Sequence, residues 1–255
     1  MKRYFQSLFL LTLPALLLTA ACHREIPVDT IRIEPASATL FVGETLDITV
    51  SCYPEDATNT DELMVYSTNE RIASYQNGTV TARSTGTAAI TAACGNVLDQ
   101  CRIKVYKDKF QKGDNTYGVD YATGYLYYNS EATVQEVEII LVHNDPNGDL
   151  QKFDVWVQYD QLGKELDYTK PQDFSFVGAY VNNNEDGFLV FSSTEGQPSI
   201  RLADWGDPGD VTLTRGILKV ENPEANRYRI HADFELSNGY RFSTDWEDAA
   251  SMKIE

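Results

Sequence analysis

Thr45-Leu46-Asp47-Ile48-Thr49-Val50-Ser51-Cys52 alternates with period 2, placing Leu46, Ile48, Val50 and Cys52 on one face and Thr45, Asp47, Thr49 and Ser51 on the other. Successive side chains of an extended chain point to opposite sides, so this pattern predicts a strand with one buried face. The alternation recurs upstream at Ile31 and Ile33 and at Leu40 and Val42. It recurs downstream at Val80 and Ala82, at Ala88, Ile90 and Ala92, and at Cys101, Ile103 and Val105. Turn formers separate these stretches: Gly43, Pro54-Glu55-Asp56, Asn77-Gly78, Ser84-Thr85-Gly86 and Gly95-Asn96. Short strands with a turn every ~8 to 12 residues predict a β-sandwich.

Taken in order, these pieces resemble the bacterial immunoglobulin-like group 2 domain. The residues that carry the resemblance are Ile31-Arg32-Ile33-Glu34-Pro35, Leu40-Phe41-Val42-Gly43-Glu44 and Tyr53-Pro54-Glu55-Asp56-Ala57. They continue through Tyr66-Ser67-Thr68-Asn69, Ile72-Ala73-Ser74, Asn77-Gly78-Thr79-Val80-Thr81-Ala82 and Thr85-Gly86-Thr87-Ala88-Ala89-Ile90-Thr91-Ala92. The resemblance spans residues 28–106. It implies an Ig-like sandwich of the kind found in adhesins and cell-surface proteins, acting as a spacer or binding module without a catalytic site. Tyr66 stands where that family usually has a core tryptophan, and can fill the same slot if its hydroxyl reaches a partner.

Residues 107–114, Lys-Asp-Lys-Phe-Gln-Lys-Gly-Asp, read as a polar linker into a second β-domain over residues 115–255. Val137, Ile139, Leu141 and His143 share a strand face. Further strands are expected over Phe153–Tyr159, Phe174–Val181, Phe188–Phe191 and Ile200–Ala203. Ile217–Val220, Tyr228–Leu236 and Tyr240–Phe242 then form an antiparallel meander, with Ile230, Ala232, Phe234 and Leu236 inward and Arg229, His231, Asp233 and Glu235 in water. The meander resembles the closing strands of β-sandwich or barrel domains in lipoproteins of gut Gram-negative bacteria. Only Leu162–Lys170 and Trp246–Met252 have room for a helical turn. The expected fold class is all-β: an Ig-like sandwich followed by a second antiparallel sandwich or barrel-like domain.

The compartment is read from the N-terminus. Lys2 and Arg3 precede an apolar run from Phe5 to Ala21, closed by Thr19-Ala20-Ala21 and followed by Cys22. This is the pattern of a signal peptide over residues 1–21. The run is short for a membrane span of ~20 apolar residues and contains Ser7 and Pro14. A cysteine directly after two alanines resembles the lipobox of bacterial lipoproteins, although Leu18 lies four positions before Cys22 rather than three. The resemblance implies a lipidated Cys22, a tether over residues 22–27, and anchoring in the cell envelope, with the outer membrane favoured and the leaflet open. His23-Arg24-Glu25 lacks the acidic run that accompanies surface export in some Gram-negative groups. Export would place Cys52, Cys94 and Cys101 in an oxidising compartment. Cys94 and Cys101 are expected to face each other across a hairpin mouth as a disulfide or a reduced pair, and Cys52 to pack as a small hydrophobe.

The charge balance narrows the function. Lys and Arg number 21 against 38 Asp and Glu, a net of −17. So acidic a chain does not neutralise phosphates, and nucleic acid is not an expected partner. The acidity is uneven: residues 22–107 hold 7 basic and 11 acidic groups (−4), residues 108–255 hold 12 and 27 (−15).

The motifs of nucleophile elbows, phosphate loops, zinc proteases and dinucleotide folds do not occur, and the three histidines, His23, His143 and His231, stand far apart. No enzyme activity and no cofactor are therefore expected. Asp145-Pro146-Asn147-Gly148-Asp149 begins like a calcium loop but has Leu150 where Gly is needed and Trp156 where the bidentate Glu belongs. Asp204, Asp207 and Asp210 are weak candidates for a hard cation, in a loop that Pro208-Gly209 explains as a turn. The aromatic residues offer another chemistry. Tyr117, Tyr121, Tyr125, Tyr127 and Tyr128 cluster, and Trp156, Trp205 and Trp246 all lie in the second domain. Trp205, Tyr125, Tyr127 and Trp246 are the candidate ligand-binding residues, against the alternative of an aromatic-rich β core. The expected function is a lipid-anchored, non-enzymatic envelope protein whose Ig-like spacer presents a β-domain for binding or assembly, with a glycan or an envelope protein as the partner. A glycan-binding protein of polysaccharide uptake is the alternative, and a glycoside hydrolase or calcium-dependent enzyme a distant third.

Overall fold

The computed structural model describes residues 25–145, 148, 150–170, 177–180, 188–194, 197–203 and 213–255, the three short segments between 177 and 203 as backbone strands only. The stretch expected to be a signal peptide, Cys22 and the first half of the expected tether lie outside the described residues. The described chain is almost entirely β, as its alternation predicts.

The first domain has nine strands: β1 (Thr30–Glu34), β2 (Ser37–Phe41), β3 (Thr45–Asp47), β4 (Thr49–Tyr53), β5 (Met64–Ser67), β6 (Ala73–Gln76), β7 (Thr79–Ala82), β8 (Gly86–Cys94) and β9 (Val97–Tyr106). One layer is the sheet β2-β9-β8-β5, in which β2 runs parallel to β9. The other comprises β1-β4 and β3-β7-β6, joined through Ile48, whose N–H donates to the Gly78 carbonyl at 2.8 Å. The β6–β7 hairpin turns on Asn77 and Gly78, both at positive φ (50° and 88°), as a tight two-residue turn requires. The apolar faces of the two layers meet over Ile31, Ile33, Leu40, Ile48, Val80, Ala88, Ile90, Ile103 and Val105, all buried.

Two expectations about this domain need correction. Tyr66 does not fill a core slot: it is 48% exposed beside Met64 at 63%, and Val65 is the β5 residue that packs inward. The parity of β5 thus puts both large side chains on the outer face. Cys94 and Cys101 do not face each other either. The two-residue turn Gly95-Asn96 sets Cys94 opposite Val97 and Cys101 opposite Ile90, four residues or about 13 Å further along the ladder. All three described cysteines are free. The Cys94 thiol donates to the Asn59 carbonyl oxygen at 3.3 Å, and Cys52 packs at the core margin as expected.

The second domain is a sandwich of thirteen further strands: β10 (Lys109–Lys112), β11 (Asn115–Gly118), β12 (Tyr121–Tyr128), β13 (Val134–Asn144), β14 (Leu150–Gln158), β15 (Glu165–Asp167), β16 (Val177–Tyr180), β17 (Phe188–Thr194), β18 (Gln197–Ala203), β19 (Leu213–Glu224), β20 (Arg227–Leu236), β21 (Arg241–Ala249) and β22 (Ser251–Ile254). A six-stranded sheet, β11-β10-β21-β20-β19-β15, packs on a five-stranded one, β16-β14-β13-β12-β22, and β17-β18 form a hairpin. The core is built from the inward parity of both sheets: Val137, Ile139, Leu141, Phe153, Val155 and Val157 against Phe110, Leu218, Ile230, Phe234, Phe242 and Trp246. The stretches with room for helical turns instead hold β15 and, but for Ala250, the end of β21 and the start of β22.

Residues 109–112, inside the stretch read as a linker, are strand, and Phe110 is completely buried. Only Lys107 and Asp108 separate β9 from β10, so the two domains meet directly. Tyr106, 5% exposed, lies against Gly118, where a Cβ would fall 2.1 Å from its Cγ. His143 packs beside it, ring centroids 5.7 Å apart, and its Nδ1 donates to the Gly118 carbonyl at 2.8 Å. Asp120 gathers donors from both sides: Asn144 N–H at 2.9 Å, Lys104 Nζ at 3.3 Å and the Tyr106 hydroxyl at 3.4 Å. Burial, and then the Asp120 carboxylate, push the Tyr106 phenol up to about 12. Lys109 Nζ sits 4.7 Å over the Phe41 ring, and Lys107 reaches the Glu247 carbonyl at 3.0 Å.

Because an aromatic ring occupies the space over Gly118, Gly118→Ala is expected to unseat Tyr106 and cost about 1–3 kcal/mol. Thermal unfolding and limited trypsin digestion at Lys107 and Lys109 check this. The variant melts lower and is cut faster there, whereas an unchanged digestion pattern contradicts a packed joint.

Candidate functional site

β12 carries the sequence Tyr121-Ala122-Thr123-Gly124-Tyr125-Leu126-Tyr127-Tyr128. Its alternation sends Ala122, Gly124 and Leu126 to the core side and leaves Tyr121, Thr123, Tyr125 and Tyr127 on the outer face of the five-stranded sheet. Gly124 is required by close approach: a Cβ there would lie 2.3 Å from the Glu138 carbonyl oxygen and 2.8 Å from Met252 Sδ. β12 is clamped between antiparallel β13 and parallel β22, with Tyr125 in register with Glu138 on one side and Lys253 on the other.

This register assembles a strip of aromatic rings edged by charge. The Tyr125 and Tyr127 rings stack with centroids 6.2 Å apart and planes 29° apart. Lys253 Nζ stands 5.3 Å from the Tyr125 ring centre, a cation–π contact. The Tyr127 hydroxyl donates to Glu138 Oε2 at 2.6 Å. Burial and that carboxylate both make the Tyr127 phenol harder to ionise. Tyr121, 47% exposed, continues the strip.

On the same outer face, one strand further, β14 sets Asp154 opposite Ile140 and Trp156 opposite Glu138. Both are buried, Asp154 to 8% and Trp156 to 6% exposure. Asp154 Oδ1 has no hydrogen-bond partner among the described residues. Burial, with the neighbouring Glu138 charge, raises the Asp154 carboxyl to about 7 against the pull of Lys152 and Lys112.

The outer face of the six-stranded sheet is different in kind. Asp233 is held by Arg215 at 2.7 Å and Arg241 at 3.2 Å, and Arg229 joins Glu221 at 3.1 Å to Glu247 at 2.7 Å. A shallow groove of about 350 Å³ runs beside this ladder, past Thr116, Gln111, Ser243 and His231. The charges there are satisfied across strands, which explains why Asp233, expected in water, is only 7% exposed. His143 is spent in the domain joint, and His231 lies between Lys219 and Asp245 in register, its Nδ1 3.9 Å from Asp245 Oδ1. Among the described residues no three His, Cys, Asp or Glu side chains could share a metal.

Of the candidate ligand-binding residues, Tyr125 and Tyr127 come together on the outer face of the sheet, both half-buried. Trp246 does not: at 2% exposure it is a core residue, on the inward parity of β21 opposite Ile230. Trp205 and the aspartates Asp204, Asp207 and Asp210 lie outside the described residues, as do Asn147 and Asp149 of the other acidic loop. Glu138, Lys253 and Asp154 were not singled out in sequence. The alternation of β13 implies the outward face of Glu138, but nothing local brings Lys253 beside Tyr125.

The first domain is thus a β-sandwich of Ig topology, and comparison with known families agrees. The family model of the bacterial Ig-like domain (group 2) matches residues 27–105, so this part of the chain is such a domain. No curated protein matches the chain. Among solved structures, domains 5–6 of the S-layer protein SbsC are 13% identical with a TM-score of 0.27, covering 88% of this chain and 98% of that one. Domains 4–9 of the surface layer protein SbsC are 11% identical with a TM-score of 0.26, covering 89% of this chain and 31% of that one. Superpositions this loose carry no argument.

The folded-state carboxyl of Asp154, raised to about 7 from 3.8, lies above its unfolded value, so the folded state binds the extra proton between these pH values. Its destabilising contribution is absent below about pH 4, grows as pH rises and levels off above about pH 7, reaching at most about 4 kcal/mol. Asp154→Asn is therefore expected to gain stability over the natural chain from about pH 4 to pH 7 and to keep that gain, without further growth, at about pH 8. Urea unfolding of both proteins across that range checks it, and a pH-independent difference contradicts it.

Proposed function

We propose that the chain is a lipid-anchored protein of the cell envelope, without catalytic activity, in which the Ig-like domain is a rigid spacer presenting the distal sandwich for binding or assembly. The observation that carries this reading is the domain joint. A spacer sets the position of what it bears only if the connection does not pivot, and here two residues join strands whose ends are locked by Tyr106, Gly118, His143 and Asp120. The signal-peptide pattern and Cys22 supply the anchor, whose acyl chains contribute ~0.8 kcal/mol per buried CH₂. The uneven charge supports the same orientation: the nearly neutral domain adjoins the anchor, and the strongly acidic one would be repelled by an anionic surface. A binding role is further supported by how the reactive groups are used. His143 holds the joint, Glu138 accepts from Tyr127, and Asp154 is enclosed.

A second reading, that the ligand is a glycan and the protein serves polysaccharide uptake, is favoured by the stacked Tyr125 and Tyr127 rings beside Glu138. Apolar ring faces next to a hydrogen-bond acceptor suit the C–H faces and hydroxyls of a sugar.

Intact mass spectrometry of detergent-extracted protein tests the anchor. The mature chain is expected to begin at Cys22 with a diacylglyceryl mass added, and Cys22→Ala to leave the membrane fraction. An unmodified N-terminus at another residue contradicts the anchoring.

A further inference from the structure

We infer that the tyrosine strip of β12 takes an uncharged polysaccharide chain laid along the strand and rejects polymers bearing uronate or sulfate groups. The inference rests on the binding reading of the distal domain and deepens it to a ligand class.

Tyr121, Tyr125 and Tyr127 share one face over seven residues of β12, six steps of ~3.3 Å or about 20 Å. Such a run suits an oligomer rather than a single sugar. The strip is also pre-formed. Gly124 locks the strand against Glu138 and Met252, the Tyr127 hydroxyl is tied to Glu138, and Lys253 rests on Tyr125. Side chains already ordered lose little freedom when a ligand arrives.

Charge then selects among glycans. Beside the rings on β13 stand the outward carboxylates of Glu136 and Glu138, and the Glu255 N–H bonds the Leu126 carbonyl at 3.1 Å, bringing a third carboxylate to the end of the strip. Against these three the described residues set Lys253, already seated over Tyr125, and Lys152, two strands from Tyr121 across Val142 and away from the carboxylate edge. Glu138 uses Oε2 for Tyr127, leaving Oε1 to accept a sugar hydroxyl, and Thr123 Oγ1, which donates to the Ser251 carbonyl at 3.0 Å, retains acceptor capacity. An acceptor-rich edge matches a ligand rich in hydroxyl donors. A uronate or sulfate brought to the same edge meets like charge at close range.

The test is affinity electrophoresis of the detergent-purified full chain through gels holding β-glucan, xylan or mannan, and through gels holding polygalacturonate, alginate or heparin. Retardation is expected with at least one of the first group and none of the second. Tyr121→Ala and Tyr125→Ala should each weaken it about tenfold, with Tyr125→Phe close to the natural chain. Tyr121→Ala, at an exposed position, tests the strip should Tyr125→Ala fail to fold. Glu136→Gln with Glu138→Gln should admit the acidic polymers. Retardation by acidic polymers alone overturns the ligand class while leaving a binding role intact. Retardation by neutral polymers that survives both tyrosine substitutions overturns the site. No retardation by any polymer overturns the inference together with the glycan reading, and leaves the envelope-spacer reading to the Cys22 measurement.

Discussion

The arrangement of the molecule depends on one contact, the Tyr106 ring seated on the bare backbone of Gly118. With only Lys107 and Asp108 between β9 and β10, the last strand of the Ig-like domain runs almost directly into the first strand of the distal sandwich. Had Gly118 carried a side chain, Tyr106 would have no room and the two domains would have to separate at a connection too short to bridge a gap. With the ring in place, His143 and Asp120 close around it and their polar groups find partners from both domains. A small interface thereby holds an orientation, because it is packed and hydrogen-bonded rather than merely touching.

Within the distal domain, two sheets share one core but turn different chemistry outward. The six-stranded sheet pairs its charges across neighbouring strands, so an acidic domain keeps one face close to electrical balance. The arginines of these pairs remain about half in water, so the pairs add little stability, and their effect is to satisfy the carboxylates they cover. The five-stranded sheet places tyrosines, carboxylates and Lys253 side by side. Asp154, enclosed with a carboxyl near 7, is the cost carried on that face.

Much of the fold was legible because a two-layer sandwich buries one face of nearly every strand, and period-2 alternation records that directly. The inward set of β20, Ile230, Ala232, Phe234 and Leu236, was read correctly on this ground alone. Where the structure departs from what composition suggests, one cause recurs: strand parity and register outweigh residue type. Phe110 stands among lysines in a stretch polar enough to pass for a linker, yet a single inward aromatic residue anchors a short strand paired on both sides, to β11 and β21. Trp246 and Tyr66 were judged by residue type where parity decides: one faces the core and the other water, the reverse of what each suggested. Cys94 and Cys101 were paired by proximity in the chain, whereas the two-residue turn fixes a register that holds them rungs apart.

The sequence by itself determined the class of fold, the Ig-like character of residues 27–105 and the division of charge between two domains, because alternation, turn residues and ionisable side chains are local properties. Only the tertiary structure decided that the domains lock at Tyr106 and Gly118 and that Lys253 comes to rest on Tyr125. It alone decided, too, that Asp154 is enclosed beside Glu138. Each of these depends on which strands become neighbours, and the pairing of β12 with β22 joins residues more than a hundred positions apart in the chain. No local pattern encodes such a pairing, which is selected by the packing of the whole core.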